Sequence, residues 1–272
     1  RAMRATGAEV VKIAVAVDSL YAGADLMHVG DMSDRRVMIG MGTAGIPTRV
    51  LAGRYGMCWT YAGDGVAPGQ VGLKGMRDQF RVRRVTENTT VYGVLGSPVR
   101  HSVSPVMHNA GFDAMGLDAV YLPLEASDID DFSAFVRLVG LRGASVTAPF
   151  KELVTSCVSE MDETAEAVGA VNTVICDGDE WVGRNTDVIG FLAPLTDRIS
   201  LAGKRATVIG AGGAARGVAW GLVQQGSVVR VCARRLEKAE SVSQSIGAEA
   251  GEMPPAADSW DLLVNTTPVG TF

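Results

Sequence analysis

The chain has 272 residues, of which 47% are hydrophobic and 20% charged, and its formal net charge is -5. This length supplies enough apolar mass for two domains. The acidic balance, with no Lys or Arg run longer than two residues, argues against nucleic acid as a partner. The apolar runs are far shorter than the roughly 18 residues that a membrane-spanning helix needs, so we expect no membrane segment.

Cysteine and histidine are too sparse and too dispersed to form a metal cage or a disulfide framework. None of the cysteines are spaced as C-x-x-C, and the chain has only three histidines. We therefore expect no metal and no structural disulfide. Free thiols are typical of a reducing compartment, so the expected location is cytoplasmic.

Residues 1–86 repeat a unit of short apolar strand, glycine-containing loop and amphipathic helix. The predicted strands are Val10 to Val17, Arg36 to Met41 and Cys58 to Ala62. Apolar residues at three- and four-residue steps predict helices over Ala44 to Tyr55 and Val71 to Val82. Three such units indicate a parallel β/α architecture.

A polar linker, Thr86 to Thr90, precedes a second alternation of strands and helices over residues 87–198. Four strands are predicted there, at Val91 to Leu95, Ala119 to Leu124, Gly143 to Thr147 and Thr173 to Cys176. A third zone, 199–272, has predicted strands at Ala206 to Ile209, Val228 to Cys232 and Asp261 to Val264, with a helix to about Gln225. We expect a three-part α/β chain that ends in a dinucleotide-binding fold.

The most informative motif, Val208 to Arg216, follows a predicted strand and opens a helix, as G-x-G-x-x-A does in dinucleotide sites. Gly210 permits the tight turn, Gly212 lets the backbone approach a pyrophosphate, and Ala215 keeps the helix close to the strand. The alternative is a flexible turn. The expected cofactor-binding residues here are Gly210, Ala211, Gly212, Gly213, Ala214 and Ala215.

The next strand indicates which dinucleotide is bound. An Asp or Glu near its end would hold a free ribose 2'-hydroxyl, but the chain has Arg234, Arg235 and Lys238 instead. These cations suit a 2'-phosphate. The alternative is solvated charge at a helix start. The expected cofactor is NADP rather than NAD.

Ser102 and Ser104 precede a proline in the second zone. In an extended chain residues i and i+2 point the same way, so the two hydroxyls could grip a carboxylate. The alternative places Ser104 as an N-cap with Pro105 at the first helical position. Both interpretations can hold together.

Further polar residues follow two later predicted strands. Lys151 lies just beyond Ser145 to Pro149, at the carboxyl end of a strand, where open α/β sheets bind ligands. The segments Gly169 to Thr173 and Gly183 to Asp187 add an amide and a carboxylate. Lys151 could equally be a surface lysine at a helix start, and Asp187 a cap residue. Together the set suits a polar, hydroxylated acid as substrate.

Residues from about 91 onward resemble the shikimate dehydrogenase family, which reduces 3-dehydroshikimate to shikimate with NADPH. The resemblance rests on S-x-S-P at Ser102, V-T-x-P-F-K ending at Lys151, G-A-V-N-T, N-T-D ending at Asp187, G-A-G-G-A and V-N-T-T-P, in the family's order. It implies that Lys151 and Asp187 are catalytic. It also implies substrate contacts from Ser102, Ser104, Thr147 and Asn172. Ser145 departs from the family, since it stands where an asparagine is frequent.

Residues 1–86 resemble the C-terminal part of type I 3-dehydroquinate dehydratase. The matching pieces are Val11 to Ala14, Met41 to Arg49 and Ala67 to Gln70. Lys12 in an apolar strand is expected to be desolvated, which would free its amine for a Schiff base; the alternative is a lysine whose end reaches solvent. The resemblance makes Arg49 and Gln70 substrate contacts, while Val66 replaces a usual serine.

The order of the two halves resembles the bifunctional dehydratase/dehydrogenase family. A (β/α)8 barrel needs about 200 residues or more, so we expect an incomplete barrel of three units, both ends cut, and no dehydration because no histidine precedes Lys12. Two other functions stay open: a quinate-sensing repressor-like protein without catalysis, and an NAD-dependent quinate/shikimate dehydrogenase. Oligomeric state is left open.

Overall fold

A computed structural model describes residues 3–31, 34–65 and 67–270. The chain separates into two compact units. The first comprises residues 1–150 with 174–181, and the second comprises 151–173 with 182–272. Both units mix helices with largely parallel strands. Val66, whose expected departure from the dehydratase pattern is noted above, lies outside the described residues.

The first unit begins with a two-stranded parallel sheet. Its elements are β1 (Val11–Ala16), α1 (Leu20–His28), β2 (Arg36–Met41) and α2 (Ile46–Val50), with helical turns at Arg4–Thr6, Thr43–Gly45, Gly75–Gln79 and Val82–Arg84. Ser19 caps α1 by accepting a hydrogen bond from the Ala22 N–H, and Pro47 near the start of α2 fits a helical first turn. The strand–helix–strand unit is therefore built as the sequence predicts.

The third expected strand, Cys58 to Ala62, was wrong. This segment is not a strand. One backbone hydrogen bond connects it to β2, from the Cys58 N–H to the Arg36 carbonyl. Trp59 is exposed, so the segment has no buried face to hold it as a strand. Among the described residues of 1–86, two of the three expected strands are therefore present, β1 and β2.

The two long helices expected between the strands were also wrong in extent. The first stops at Val50 and continues as turns. In that segment the backbone at Gly53 approaches Val85 so closely that a Cβ would lie 2.1 Å from the Val85 carbonyl oxygen. The second, expected over Val71 to Val82, is a π-helix of five residues, Gly75–Gln79.

The rest of the first unit is a parallel sheet with helices. It contains β3 (Thr90–Gly96), α3 (Ser104–Ala114), β4 (Ala119–Glu125), α4 (Ile129–Val139), β5 (Gly143–Val146) and β7 (Thr173–Asp177), with strand order β4-β3-β5-β7. Residues Val91 to Leu95 of β3 are mostly buried, as befits a central strand. Strand β8 (Glu180–Arg184), which the sequence did not predict, begins here and ends in the second unit.

A buried carboxylate joins the two halves of the first unit. Asp131, in the first turn of α4, is 7% exposed and accepts hydrogen bonds from the backbone N–H groups of Leu20 (3.0 Å) and Tyr21 (2.7 Å). The Ser127 N–H, at 3.0 Å, is a third donor. A carboxylate at the start of α1 satisfies donors that the helix itself cannot pair.

Replacing Asp131 by alanine is expected to lower the free energy of unfolding by about 1–3 kcal/mol, because three backbone donors lose their acceptor. Urea denaturation measures the change. Asp130 is exposed on the same helix, so Asp130→Ala is the matched control. Equal stability of the two variants would contradict this role for Asp131.

The second unit consists of several short elements, followed along the chain by a four-stranded parallel sheet with helices. It holds α5 (Phe150–Leu153) from its second residue, a turn at Val154–Cys157, β6 (Glu160–Met161), α6 (Glu163–Val168), α7 (Asp187–Thr196), β9 (Arg205–Ile209), α8 (Gly213–Gln224), β10 (Val228–Cys232), α9 (Leu236–Ile246), β11 (Glu249–Gly251) and β12 (Leu262–Asn265). The sheet order β11-β10-β9-β12 is that of a Rossmann-like sheet. Val208, Leu222 and Val231 are fully buried in its core.

Candidate active site

Lys151 and Asp187 meet within the second unit. The Lys151 Nζ donates to Asp187 Oδ2 at 2.5 Å, and the two side chains are 23% and 38% exposed. Asp187 is the first residue of α7, where the helix dipole favours a carboxylate. The ammonium is therefore held in a fixed place and remains accessible to a ligand.

Asn172 holds the other side of the carboxylate. Its Nδ2 donates to Asp187 Oδ1 at 2.7 Å and to Thr186 Oγ1 at 2.9 Å, while its Oδ1 accepts from the Thr186 N–H at 3.0 Å. The side-chain amide has two hydrogens, and both are engaged inside the protein. In this arrangement Asn172 orients Asp187.

Asn185 is a residue that the sequence analysis missed. It is 5% exposed, its Oδ1 accepts from the Asp187 N–H at 3.0 Å, and its Nδ2 donates to the Ala170 carbonyl at 2.8 Å. It thus ties the start of α7 to the segment that carries Asn172. The available signal was an Asn two residues before a helix start, since such side chains bond the backbone two residues on.

The glycine-rich turn between β9 and α8 has the conformation that the motif predicts. Gly210 has φ +122°, and a Cβ there would lie 2.3 Å from Thr266 Oγ1, which donates to the Ile209 carbonyl at 2.7 Å. Only glycine fits such a position. Thr266, at the end of β12, is a second residue that the sequence analysis left without a role.

The beginning of α8 fits a dinucleotide phosphate. A Cβ at Gly212, the N-cap, would meet nothing within 4 Å, so the turn has open space in front of the helix N–H groups. Ala215 is fully buried, which brings α8 close to the sheet. Ala211 and Gly213 are half-buried and Ala214 is exposed, so the turn itself faces outward.

Three cations lie beyond β10 at the start of α9. Arg234, Arg235 and Lys238 are exposed, and their side chains form no hydrogen bond or ion pair with any described residue. Ala233 and Arg234, which directly follow β10, supply no carboxylate to hold a 2'-hydroxyl, and the one acidic residue in the first turn of α9 is Glu237. The residues present therefore fit a 2'-phosphorylated dinucleotide.

The turn and the lysine are neighbours in the second unit. A Cβ built on Gly213 would lie 4.0 Å from Lys151 Cβ and 3.5 Å from Ala170 Cβ. The N-terminal end of α8 thus adjoins the Lys151–Asp187 pair. An ammonium beside a reduced nicotinamide can stabilise a developing alkoxide and protonate it.

The serine pair of the first unit is arranged differently from the expected extended chain. Val103 is helical (φ -81°, ψ -9°) and is the N-cap of α3, so the expected Ser104 cap is displaced by one residue. The Ser104 N–H donates to Ser102 Oγ at 3.2 Å. Ser102 therefore serves as the local acceptor at this helix start, and both serines are half-buried.

Thr147 and Ser145 lie at the carboxyl end of β5. Thr147 is half-buried, and its methyl group would lie 2.5 Å from a Cβ on Gly96. Ser145 Oγ accepts from the Tyr121 hydroxyl at 2.8 Å, and burial raises the pKa of Tyr121. Tyr121 is a partner that the sequence did not reveal, because it lies two strands away.

Lys12 is exposed, which contradicts the expected desolvation. Strand β1 pairs with β2, and no other described strand covers its second edge. The Lys12 ammonium lies over the Tyr61 ring, 4.4 Å from its centroid. The alternative of an ammonium that reaches solvent therefore describes it better.

Arg49 and Gln70, the other two residues of the dehydratase-like pattern, share no described hydrogen bond with Lys12. Arg49 is 2% exposed, its Nε has no partner among the described atoms, and burial lowers the pKa of its guanidinium. Gln70 Oε1 accepts from the Ala67 N–H at 3.0 Å. No hydrogen bond joins Lys12, Arg49 and Gln70 in the described ranges.

Metal centres and membrane-spanning helices are both absent from residues 3–31, 34–65 and 67–270. No group of three His, Cys, Asp or Glu side chains among them could hold a metal ion. In the described part of the chain, every helix is too short or too polar to span a bilayer.

Two family models match successive parts of the chain. Type I 3-dehydroquinase matches residues 1–87. The shikimate dehydrogenase substrate binding domain matches residues 94–174.

Similar proteins cover different shares of the chain. The bifunctional 3-dehydroquinate dehydratase/shikimate dehydrogenase of Arabidopsis thaliana is 31% identical over 97% of this chain and 48% of its own length. The shikimate dehydrogenase (NADP(+)) of Shouchella clausii is 40% identical over 68% of this chain and 71% of its own. A crystal structure of shikimate dehydrogenase from Aquifex aeolicus aligns with a TM-score of 0.65 and 39% identity, covering 68% of this chain and 71% of that one. The chain thus spans about half the length of the plant relative and 71% of the bacterial one.

Proposed function

The chain belongs to the shikimate dehydrogenase family, and from this premise we propose that it reduces 3-dehydroshikimate to shikimate with NADPH. The observation that carries the proposal is the hydrogen bond between Lys151 and Asp187, next to the glycine-rich turn. We assign the proposed reaction to aromatic amino acid biosynthesis, because its product would be shikimate.

The proposed chemistry assigns one role to each polar side chain. NADPH, which the glycine-rich turn and Arg234 would hold, would supply the hydride that the carbonyl carbon of the substrate accepts. The carbonyl oxygen then gains negative charge, and the Lys151 ammonium stabilises it and gives it a proton. Asp187 keeps the ammonium in place, Asn172 keeps Asp187 in place, and Lys151 afterwards takes a proton from water.

The proposed substrate contacts outside this pair are Ser102, Ser104, Thr147 and Asn172. Hydroxyls are suited to a carboxylate and to ring hydroxyls. A substrate contact from the Asn172 amide would have to replace its bond to Asp187 or Thr186. The family resemblance supports these roles. For Asn172 the contact with Asp187 supports a positioning role as well.

The proposal is tested by following NADPH consumption spectrophotometrically in the presence of 3-dehydroshikimate. We expect saturable turnover with both ligands and release of one shikimate for each NADPH consumed. Saturable binding of quinate-type acids without any turnover would instead support the sensor alternative. The Lys151–Asp187 pair argues against a sensor, because a protein that only binds needs no proton donor.

NADP is the proposed cofactor because the three cations at the start of α9 have no hydrogen-bond or ion-pair partner among the residues that the structure describes. Replacing Arg234 by glutamine is expected to raise the KM for NADPH about tenfold or more, since a charged hydrogen bond to the 2'-phosphate is lost. The KM for NADH should not change. Initial rates with the two nucleotides measure the ratio.

Arg198→Gln is the control for this change, since Arg198 is also an exposed arginine of the second unit. An unchanged KM for NADPH in Arg234→Gln would contradict the assignment of the 2'-phosphate site. It would support the alternative of an NAD-dependent quinate/shikimate dehydrogenase.

Residues 1–86 are proposed to be part of a type I dehydratase barrel, with Lys12 as the imine-forming lysine and Arg49 and Gln70 as substrate contacts. The parallel β1-α1-β2 unit and the dehydroquinase match support this proposal. Borohydride reduction in the presence of 3-dehydroshikimate, followed by peptide mass spectrometry, tests it. A covalent adduct is expected on Lys12 and not in Lys12→Ala.

The three-part division into 1–86, 87–198 and 199–272 is also kept as a proposal. The family matches, which end at residue 87 and begin at residue 94, support its first boundary. A cytoplasmic location is proposed as well, supported by four cysteines that are all free thiols.

A further inference from the structure

Arg216, in the first turns of α8, reaches two neighbouring elements of the second unit. Its Nη1 donates to the Val168 carbonyl at 3.2 Å, and its Nη2 lies 4.0 Å from Glu152 Oε1. Its Nε is buried and has no partner among the described atoms. The side chain is 25% exposed, so the guanidinium is largely enclosed where it bridges these elements.

The two elements that Arg216 touches are those that carry the Lys151–Asp187 network. Glu152 directly follows Lys151 in α5, and Val168 is the last residue of α6, four positions before Asn172. The segment that follows α6 also bonds to α5, because the Val171 N–H donates to the Lys151 carbonyl at 2.8 Å. Arg216 therefore supports the ammonium side and the amide side of the network together.

The chain leaves room for this guanidinium at Gly169. Gly169 has φ +64°, and a Cβ there would lie 2.9 Å from Arg216 Nη1. A side chain at Gly169 would push the guanidinium away from the Val168 carbonyl. Two features therefore explain a glycine at position 169: the left-handed end of α6 and the close approach of the Arg216 guanidinium.

We propose that Arg216 is a positioning residue that couples the phosphate-binding turn of α8 to the Lys151 ammonium. Arg216 lies four residues after the N-cap Gly212, so a nucleotide that orders the start of α8 also orders Arg216. Arg216 in turn fixes α5, which carries Lys151, and the end of α6, four residues before Asn172. This inference rests on the proposed function, which supplies the nucleotide.

The first test separates binding from the chemical step. Arg216→Met keeps the apolar stem and removes the guanidinium, and it should lower kcat about tenfold to a hundredfold, the usual effect of a misplaced catalytic group. The KM values for NADPH and 3-dehydroshikimate should stay within about threefold. Arg198→Met, on the exposed end of the same unit, should match the parent chain.

A second readout does not depend on turnover. The rate at which an amine-specific reagent modifies Lys151 is followed by peptide mass spectrometry with and without NADP+, and the exposed Lys204 serves as internal control. In the parent chain NADP+ should change the rate at Lys151. In Arg216→Met that change should be lost while NADP+ still binds.

Glu152→Gln completes the design. If Arg216 acts partly through Glu152, the double variant should lose less kcat than the product of the two single losses. A raised KM for NADPH with unchanged kcat in Arg216→Met would overturn the proposal, since it indicates a direct cofactor contact. Wild-type kcat together with an intact NADP+ effect at Lys151 would also overturn it.

Folding and the proposed function are checked separately. If Arg216→Met loses its thermal transition, Arg216→Lys decides: one ammonium cannot reach both Val168 and Glu152, so a reduced kcat supports the coupling and a normal kcat refutes it. A parent chain without turnover would contradict the proposed function alone, and the Lys151 modification rates would still test the coupling.

Discussion

Replacing Lys151 by methionine is expected to lower kcat by about 10² to 10⁴, because the reaction loses the group that protonates the developing alkoxide. Methionine has a similar length, and the lysine side chain is already 23% exposed, so folding should be retained. NADPH consumption at saturating substrate gives kcat. Lys204→Met, an exposed lysine of the same unit, is the control.

Asp187→Asn should show a loss of similar size, since its amide cannot anchor the ammonium as a carboxylate does. The kcat of the double variant should be no lower than that of the less active single variant, because the two side chains act as one unit. A Lys151→Met enzyme that keeps kcat within a few-fold of the parent would contradict the assigned proton donor.

Gly210→Ala is expected to lower the free energy of unfolding by about 2–4 kcal/mol and to abolish measurable NADPH binding. The new Cβ combines a strained backbone conformation with a contact 2.3 Å from Thr266 Oγ1. To relieve the contact, Thr266 must give up its bond to the Ile209 carbonyl or the turn must move. Urea denaturation and nucleotide titration measure the two effects.

Gly212→Ala is the matched variant for this prediction. Its Cβ meets nothing within 4 Å, so stability should be unchanged, whereas the methyl group fills space that a pyrophosphate needs. NADPH affinity should therefore fall without a change in the denaturation midpoint. Equal denaturation midpoints for Gly210→Ala and Gly212→Ala would contradict the steric account of Gly210.

In the nucleotide-binding part, three of the four strands were predicted to within one residue, and β11 was not predicted. The expected strand Val228 to Cys232 is β10, and the strand expected at Ala206 to Ile209 starts one residue earlier. Here a short buried strand, a glycine-rich turn and an apolar helix face all indicate one structure. Local signals that agree in this way leave few alternatives.

The dehydratase-like part was predicted less well, because its elements depend on what covers them. The Cys58 to Ala62 segment has strand-forming residues but no buried face, and Lys12 has strand neighbours on one side only. Hydrophobic pattern alone does not show whether a partner strand is present. The expected burial of Lys12 failed for this reason.

In the candidate site, the sequence pointed to Lys151 and Asp187 but not to what fixes them. The two side chains do meet, and their catalytic roles stay predictions. Thr266 and Arg216 were missed because each bonds a backbone carbonyl that only the tertiary fold brings close, 57 and 48 positions away in the chain. Asn185 differs, because its bond to the Asp187 N–H spans two positions and could have been predicted from the sequence.

The carboxylate of Asp131 has a consequence for the order in which the protein matures. Leu20 and Tyr21, whose N–H groups it accepts, are 111 and 110 positions earlier in the chain. At a ribosomal speed of about 5–20 residues per second, α1 is made on the order of ten seconds before this acceptor exists. During that interval its first turn must be hydrated, so the earlier half of the first unit reaches its final stability only after the later half has been translated.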